Sequence, residues 1–131
     1  MDDELRDYFD EQMDQVIARL PIKLRELLDQ VPLYVEDYPS KKMRAEMGVR
    51  RRDELQGLYS GTALPDRTTD QGASVSEVIY LFREGILALS TTTDGQIDEL
   101  ALREQIRVTL LHELGHHFGL NEQQLEELGY G

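Results

Sequence analysis

Eleven residues near the end of the chain, HELGHHFGLNE (112–122), constrain it more than any other stretch. If they are helical, His112 and His116 lie one turn apart on one face and can both reach a single metal ion. Glu113 then sits about 100° further round, where it can hold a water on that ion without ligating it. Leu110, Leu111, Leu114 and Phe118 fall on the opposite side, so one face is built for a core and the other carries chemistry. Gly115 would let another backbone segment approach closely. Gly119 can take the left-handed conformation that stops a helix, and Asn121 with Gln124 spells a capping box for a new one. That turn can bring Glu122 back as a third ligand, leaving a fourth position for water. The bland alternative for Glu122 is an acid in a first helical turn, favoured there by the dipole. Glu126 and Glu127 lie further along the same short helix and are less well placed. His117 is turned about 100° from His116 and suits a structural hydrogen bond better than the same ion.

Composition narrows the setting. The 131 residues are enough for one domain, 1–131, with a real core, and the 40% apolar and 31% charged fractions are ordinary for a globular protein. With no cysteine, disulfides and thiolate zinc sites are excluded. No apolar run is long enough for a bilayer, and the acidic N-terminus is unlike a signal peptide, so the expected address is cytoplasmic, with no membrane partner. A net charge of −12 repels phosphate backbones, so a nucleic-acid partner is not expected either. The cluster Lys41, Lys42, Arg44, Arg50, Arg51 and Arg52 runs against that charge. It reads as a solvated helix end balanced by acids elsewhere, though it could also steer an acidic peptide.

The rest of the chain supplies helices at both ends and strands between. Leu5, Phe9, Met13, Val16, Ile17 and Leu20 recur at helical spacing over residues 2–20, and Pro21 interrupts them before Leu24, Leu27 and Leu28 extend the pattern. Residues 31–37 alternate as a strand, 41–55 are a charged helix or loop, and 55–64 look like a second strand. The polar stretch 65–75 reads as a mobile loop. The near-continuous apolar run at 77–83 predicts a strand buried on both faces. Residues 86–89 fit a short strand or a single helical turn, and Asp94 or Asp98 can cap the helix that carries the motif. This order gives an α+β domain.

With these residues in view, HELGHHFGLNE resembles the H-E-x-x-H-x-x-G-x-x-(H/D) signature of metzincin-type zinc peptidases. It is most similar to the small bacterial zincin-like proteins called minimal metalloproteases, and Val35-Glu36-Asp37-Tyr38-Pro39 and Gly57-Leu58-Tyr59 also look like that family. The resemblance implies a zincin-like fold: a small mixed sheet, an active-site helix and flanking N- and C-terminal helices. It further implies an edge strand that pairs with extended peptide and a zinc endopeptidase acting on peptide or protein substrates. Carried over, His112 and His116 are ligands of a single zinc ion per chain, Glu113 is the general base, and Glu122 occupies the third-ligand position. Two departures stand out. The third ligand is usually His or Asp, and no methionine follows the motif here. An oxyanion donor could be Tyr80, Tyr130 or His117. Two other functions fit less well. A non-catalytic zinc-stabilised interaction module conflicts with an open coordination position, and a small zinc nuclease conflicts with the acidic charge and with Glu113.

Overall fold

The structure is a computed structural model, and it describes residues 1–61 and 77–127. Among these, six helices and three strands follow in the order α1 (Asp3–Ala18), α2 (Ile22–Leu28), β1 (Leu33–Glu36), α3 (Lys41–Met47), β2 (Gly57–Ser60), β3 (Val78–Phe82), α4 (Arg83–Ser90), α5 (Glu99–Phe118) and α6 (Glu122–Glu127). The polar stretch 65–75 and the far end of the expected second strand lie outside the described residues.

Helix α1 starts where the acids predict it. The Asp2 side chain accepts the Leu5 N–H at 2.8 Å, and Asp3 and Glu4 face the positive end of the dipole. Phe9 and Val16 are buried, with Leu5, Met13 and Ile17 packed beside them. Pro21, which lacks an N–H to lose, opens α2, and Leu24 and Leu28 join the same core. Gln12 is also buried, a position the apolar pattern does not flag. Its carbonyl accepts the Arg103 Nε–H from α5 at 2.6 Å.

The sheet has the order β1-β3-β2, with β1 parallel and β2 antiparallel to β3. The sheet is therefore mixed, with β2 at one edge. Ile79 and Leu81 of β3 pack inward on the leucines of α5, whereas Tyr80 is half-buried. The opposite face carries a short aromatic ladder, with Tyr34–Tyr80 and Tyr80–Phe82 ring centroids each 5.9 Å apart, in which Phe82 is buried and Tyr34 exposed. Burial on both faces, expected from the run's hydrophobicity, is thus only partial.

The stretch 86–89 proves to be part of an eight-residue helix. Phe82 leads from β3 into α4 without a turn, and Ile86 and Leu87 are buried. Gly85 passes so close to the main chain of Leu55 that any Cβ would collide with it. A short amphipathic segment with no preceding turn signal does not reveal its period, which is why the sequence left strand and helix open. Asp98, not Asp94, caps α5, accepting the Ala101 N–H at 3.1 Å. Helix α5 contacts α1, α4, α6, β2 and β3 and so forms the centre of the molecule.

A charged knot ties three elements together at the end of β1. Asp37 accepts from Arg6 of α1 and from Arg83 at the start of α4, and Arg83 also pairs with Asp10. The Arg6 hydrogen bond, against the opposing cost of burial, holds the Asp37 carboxyl below its usual range, and Arg83 adds to this. Such a group stabilises the fold above its unfolded pKa, and the contribution is lost as pH falls through the lowered folded value. Asp37→Asn is therefore expected to cost about 2 kcal/mol at pH 6. Urea titrations should show that gap shrinking as the pH is taken well below the ordinary carboxylate value of 3.8. An unchanged gap would mean the knot contributes nothing through charge.

Candidate active site

Three side chains of α5 meet at one groove. His112 and His116 stand one turn apart with ring centroids 4.4 Å apart, and the His116 side chain is 54% exposed. Between them in sequence, Glu113 turns inward and is only 7% exposed, with Oε1 3.9 Å from His116 Nδ1. Burial pushes the Glu113 carboxyl above its ordinary value. The two imidazoles and the backbone N–H of Tyr59, which donates to the carboxylate, pull the other way. The motif helix thus presents two accessible imidazoles and one partly desolvated carboxylate on the same side.

Opposite them lies the edge strand. Gln56 through Tyr59, with Leu55 and Met47, form one wall of a groove of about 560 Å³, and Gln105, Val108, Thr109, His112, Glu113 and His116 form the other. The α5 residues recur at helical spacing, so a single stripe of one helix builds that wall. The Phe82 N–H donates to Gln56 at 2.8 Å, which fixes the alternation of the antiparallel pair. Gly57 and Tyr59 therefore direct their main-chain groups away from β3, toward the side on which no described strand pairs with β2. Tyr59 spends its N–H on Glu113.

Gly57 is a site residue that the motif did not reveal. A Cβ there would lie 2.7 Å from Thr109 Cγ2, 3.0 Å from the Tyr80 carbonyl oxygen and 3.2 Å from Glu113 Cγ. The strand can lie this close to the Glu113 side chain only because the position has no side chain of its own. Gly57→Ala is expected to cost about 1–3 kcal/mol, the usual range for overpacking, and to displace Glu113. Chemical denaturation would measure the first effect, and wild-type stability in the variant would show that the contact relaxes freely.

After the helix, the chain follows the reading of the sequence. Gly119 adopts φ 66°, and the Leu120 N–H returns to the Gly115 carbonyl at 2.8 Å. Asn121 and Gln124 exchange hydrogen bonds, Asn121 N to Gln124 Oε1 at 2.9 Å and Gln124 N to Asn121 Oδ1 at 2.8 Å. Gly115 does face backbone, that of Leu120, but at 3.4 Å a methyl group would make only ordinary contact. Glu122 opens α6 and is exposed. No set of three His, Cys, Asp or Glu side chains is gathered as a metal site among the described residues. His112, His116 and Glu113 are brought together, and Glu122 is not drawn into a ligand set with them.

The other candidates fall elsewhere. His117 is 11% exposed and turned from the groove toward Tyr59 and Glu77. Tyr80 lines a separate groove with Tyr38, Arg44 and Arg52, and Tyr130 lies outside the described residues. In the basic cluster, Arg51 pairs with Asp53 and Glu54, while Arg52 pairs with Glu84 and stacks 3.5 Å over the Tyr38 ring.

A central helix with its histidines on a groove, floored by the antiparallel edge strand of a mixed sheet, is the architecture of a zincin. A family model for zincin-like metallopeptidases matches residues 28–131, and the chain belongs to that family. No curated protein matches the chain. The family implies zinc binding and action on peptide or protein substrates. The donors of the groove suit that ion: two exposed imidazoles one helical turn apart, in a chain that has no thiolate to compete.

Proposed function

We propose that this protein is a zinc-dependent endopeptidase in which Glu113 is the general base. His112, His116 and Glu122 would hold the metal, Glu122 by swinging its side chain in from the first turn of α6. The observation that carries the reading is the contrast between the buried Glu113 and the two accessible histidines flanking it on one groove. Zinc bound there supplies the Lewis acidity that polarises the scissile carbonyl and makes water nucleophilic near neutral pH.

The chain's own residues do the rest. Glu113, its basicity raised by burial, takes the proton of the attacking water and returns it to the leaving amine. The Tyr59 N–H keeps the carboxylate from rotating out of the groove. An extended substrate can add along the outer side of β2 through the main chain of Gly57 and the carbonyl of Tyr59, which gives affinity with little demand on side chains. Met47, Leu55, Leu58 and Val108 offer apolar surface along the same groove.

Elemental analysis of untagged protein, dialysed without added metal, tests the metal part first. About one zinc per chain is expected, as a three-ligand site with an open position requires. Incubation with a mixed peptide library and, separately, with structured RNA should then give cleavage of peptide only. Zinc-loaded protein that cleaves neither would favour a non-catalytic, zinc-stabilised interaction module.

A further inference from the structure

One polar cluster next to the groove has no part in the chemistry above. Tyr59 of β2 donates its phenol to Glu77 Oε1 at 3.1 Å, and Glu77 sits immediately before β3. The other oxygen of Glu77 lies 3.5 Å from His117 Nδ1, a buried atom with no hydrogen-bond partner among the described residues. The His117 ring meets the Tyr59 ring edge-on at a centroid distance of 5.5 Å. Two segments distant in sequence, the residue before β3 and the end of α5, thus converge on Tyr59.

The geometry links this cluster to the base. His117 is four residues after Glu113, so both side chains leave α5 on the face toward β2. Both then meet the same residue of β2. Glu113 takes the Tyr59 N–H, and His117 packs on the Tyr59 ring. Among the described residues, strand β2 has a paired neighbour on one side only and spans four residues, so its own ladder constrains it weakly. We propose that Tyr59, Glu77 and His117 form a clamp that fixes the edge strand over α5 and so positions the Tyr59 N–H on the Glu113 carboxylate. They are positioning residues, and no part of the cluster touches the reacting atoms. The Glu77 carboxylate, facing the buried His117 Nδ1 at 3.5 Å and accepting the Tyr59 phenol, joins the end of α5 to the edge strand. The role in turnover rests on Glu113 being the base, whereas the role in holding Tyr59 does not.

Amide hydrogen exchange at Tyr59, followed by NMR on the full chain, reads the clamp without reference to activity. Tyr59→Phe keeps the ring and removes the phenol, and Glu77→Ala removes its acceptor. Each is expected to speed exchange of the residue 59 amide about fivefold or more, the scale of one lost hydrogen bond. His117→Ala should do the same, while Glu77→Gln, which keeps an acceptor for the phenol, should rescue protection to within about twofold. In the zinc-loaded enzyme the first three variants should lose kcat with KM held and zinc content at the wild-type level. Unchanged exchange at residue 59 in Tyr59→Phe and Glu77→Ala would overturn the clamp. So would a loss of zinc in step with activity, which would place the cluster's effect on the metal helix. Wild-type protein that cleaves no peptide would overturn the peptidase reading and leave the exchange result to decide the clamp.

Discussion

Glu113→Gln protein is expected to bind zinc as the wild type does and to lose peptide hydrolysis by about 10²–10⁴-fold, the range a positioned general base contributes. The substitution preserves shape. The amide oxygen of glutamine still accepts the Tyr59 N–H, so the groove and the edge strand stay in place. What goes is the capacity to accept a proton. The variant also separates chemistry from folding. Burial raises the Glu113 pKa in the folded chain, so the folded state binds more protons than the unfolded state between the two values. Stability of the metal-free wild type should therefore fall as pH rises through that window, and Glu113→Gln should lack the fall. At pH 7 the metal-free variant should be at least as stable as the wild type, measured by urea titration. A variant that is stable, zinc-loaded and inactive fixes the role of Glu113. Hydrolysis retained by pure Glu113→Gln protein would remove it from the mechanism.

The parts of this site that could be read from the sequence are those that depend on local spacing. The i, i+4 placement of His112 and His116, the helix stop at Gly119 and the Asn121–Gln124 capping box each involve residues within one turn. Local geometry fixes their relation whatever the rest of the chain does. The same holds for the apolar stripe of α1 and for the existence, though not the limits, of the strands. Gly57, Tyr59 and Glu77 escaped notice as site residues for the opposite reason. Gly57 matters because Thr109 and Glu113, more than fifty positions on, approach it, and Glu77 matters because a strand and a helix end converge there. The one available hint was the i, i+4 relation of Glu113 and His117, which places both on the face turned to β2. Helix α4 was ambiguous because it follows β3 directly, and its closeness to Leu55 is a tertiary contact with no local signature. Glu122 lies between these cases. Its place in the first turn of α6 follows from the capping box, but its relation to the histidines is not set by local spacing, and the described residues do not gather it with them.

His116→Ala is expected to abolish zinc retention, taking metal content from about one per chain to near zero, because a two-ligand remnant cannot hold an open site. Glu122→Ala carries the sharper information. If Glu122 ligates, its removal should weaken zinc by more than the ~10–100-fold that follows loss of a group that merely orients a ligand. Glu122→Asp should then keep most of the affinity, since it retains the carboxylate and aspartate is, with histidine, a usual third ligand in the signature that this motif resembles. If Glu122 serves only the α6 dipole, the outcome differs in kind. Glu122→Ala would cost roughly 0.3–1 kcal/mol of stability and leave zinc affinity untouched. Competition with a chromophoric chelator measures the affinities of all three variants on one scale. The His116→Ala result anchors that scale, so an intermediate loss in Glu122→Ala can be assigned to a ligand and not to general unfolding, provided its urea midpoint stays near the wild type. Two imidazoles give the reason to expect the ligand outcome: His112 and His116 need a third partner to hold zinc in an open site. The Gly119 stop and the reciprocal Asn121–Gln124 cap set Glu122, the next acid along the chain, in the first turn of α6.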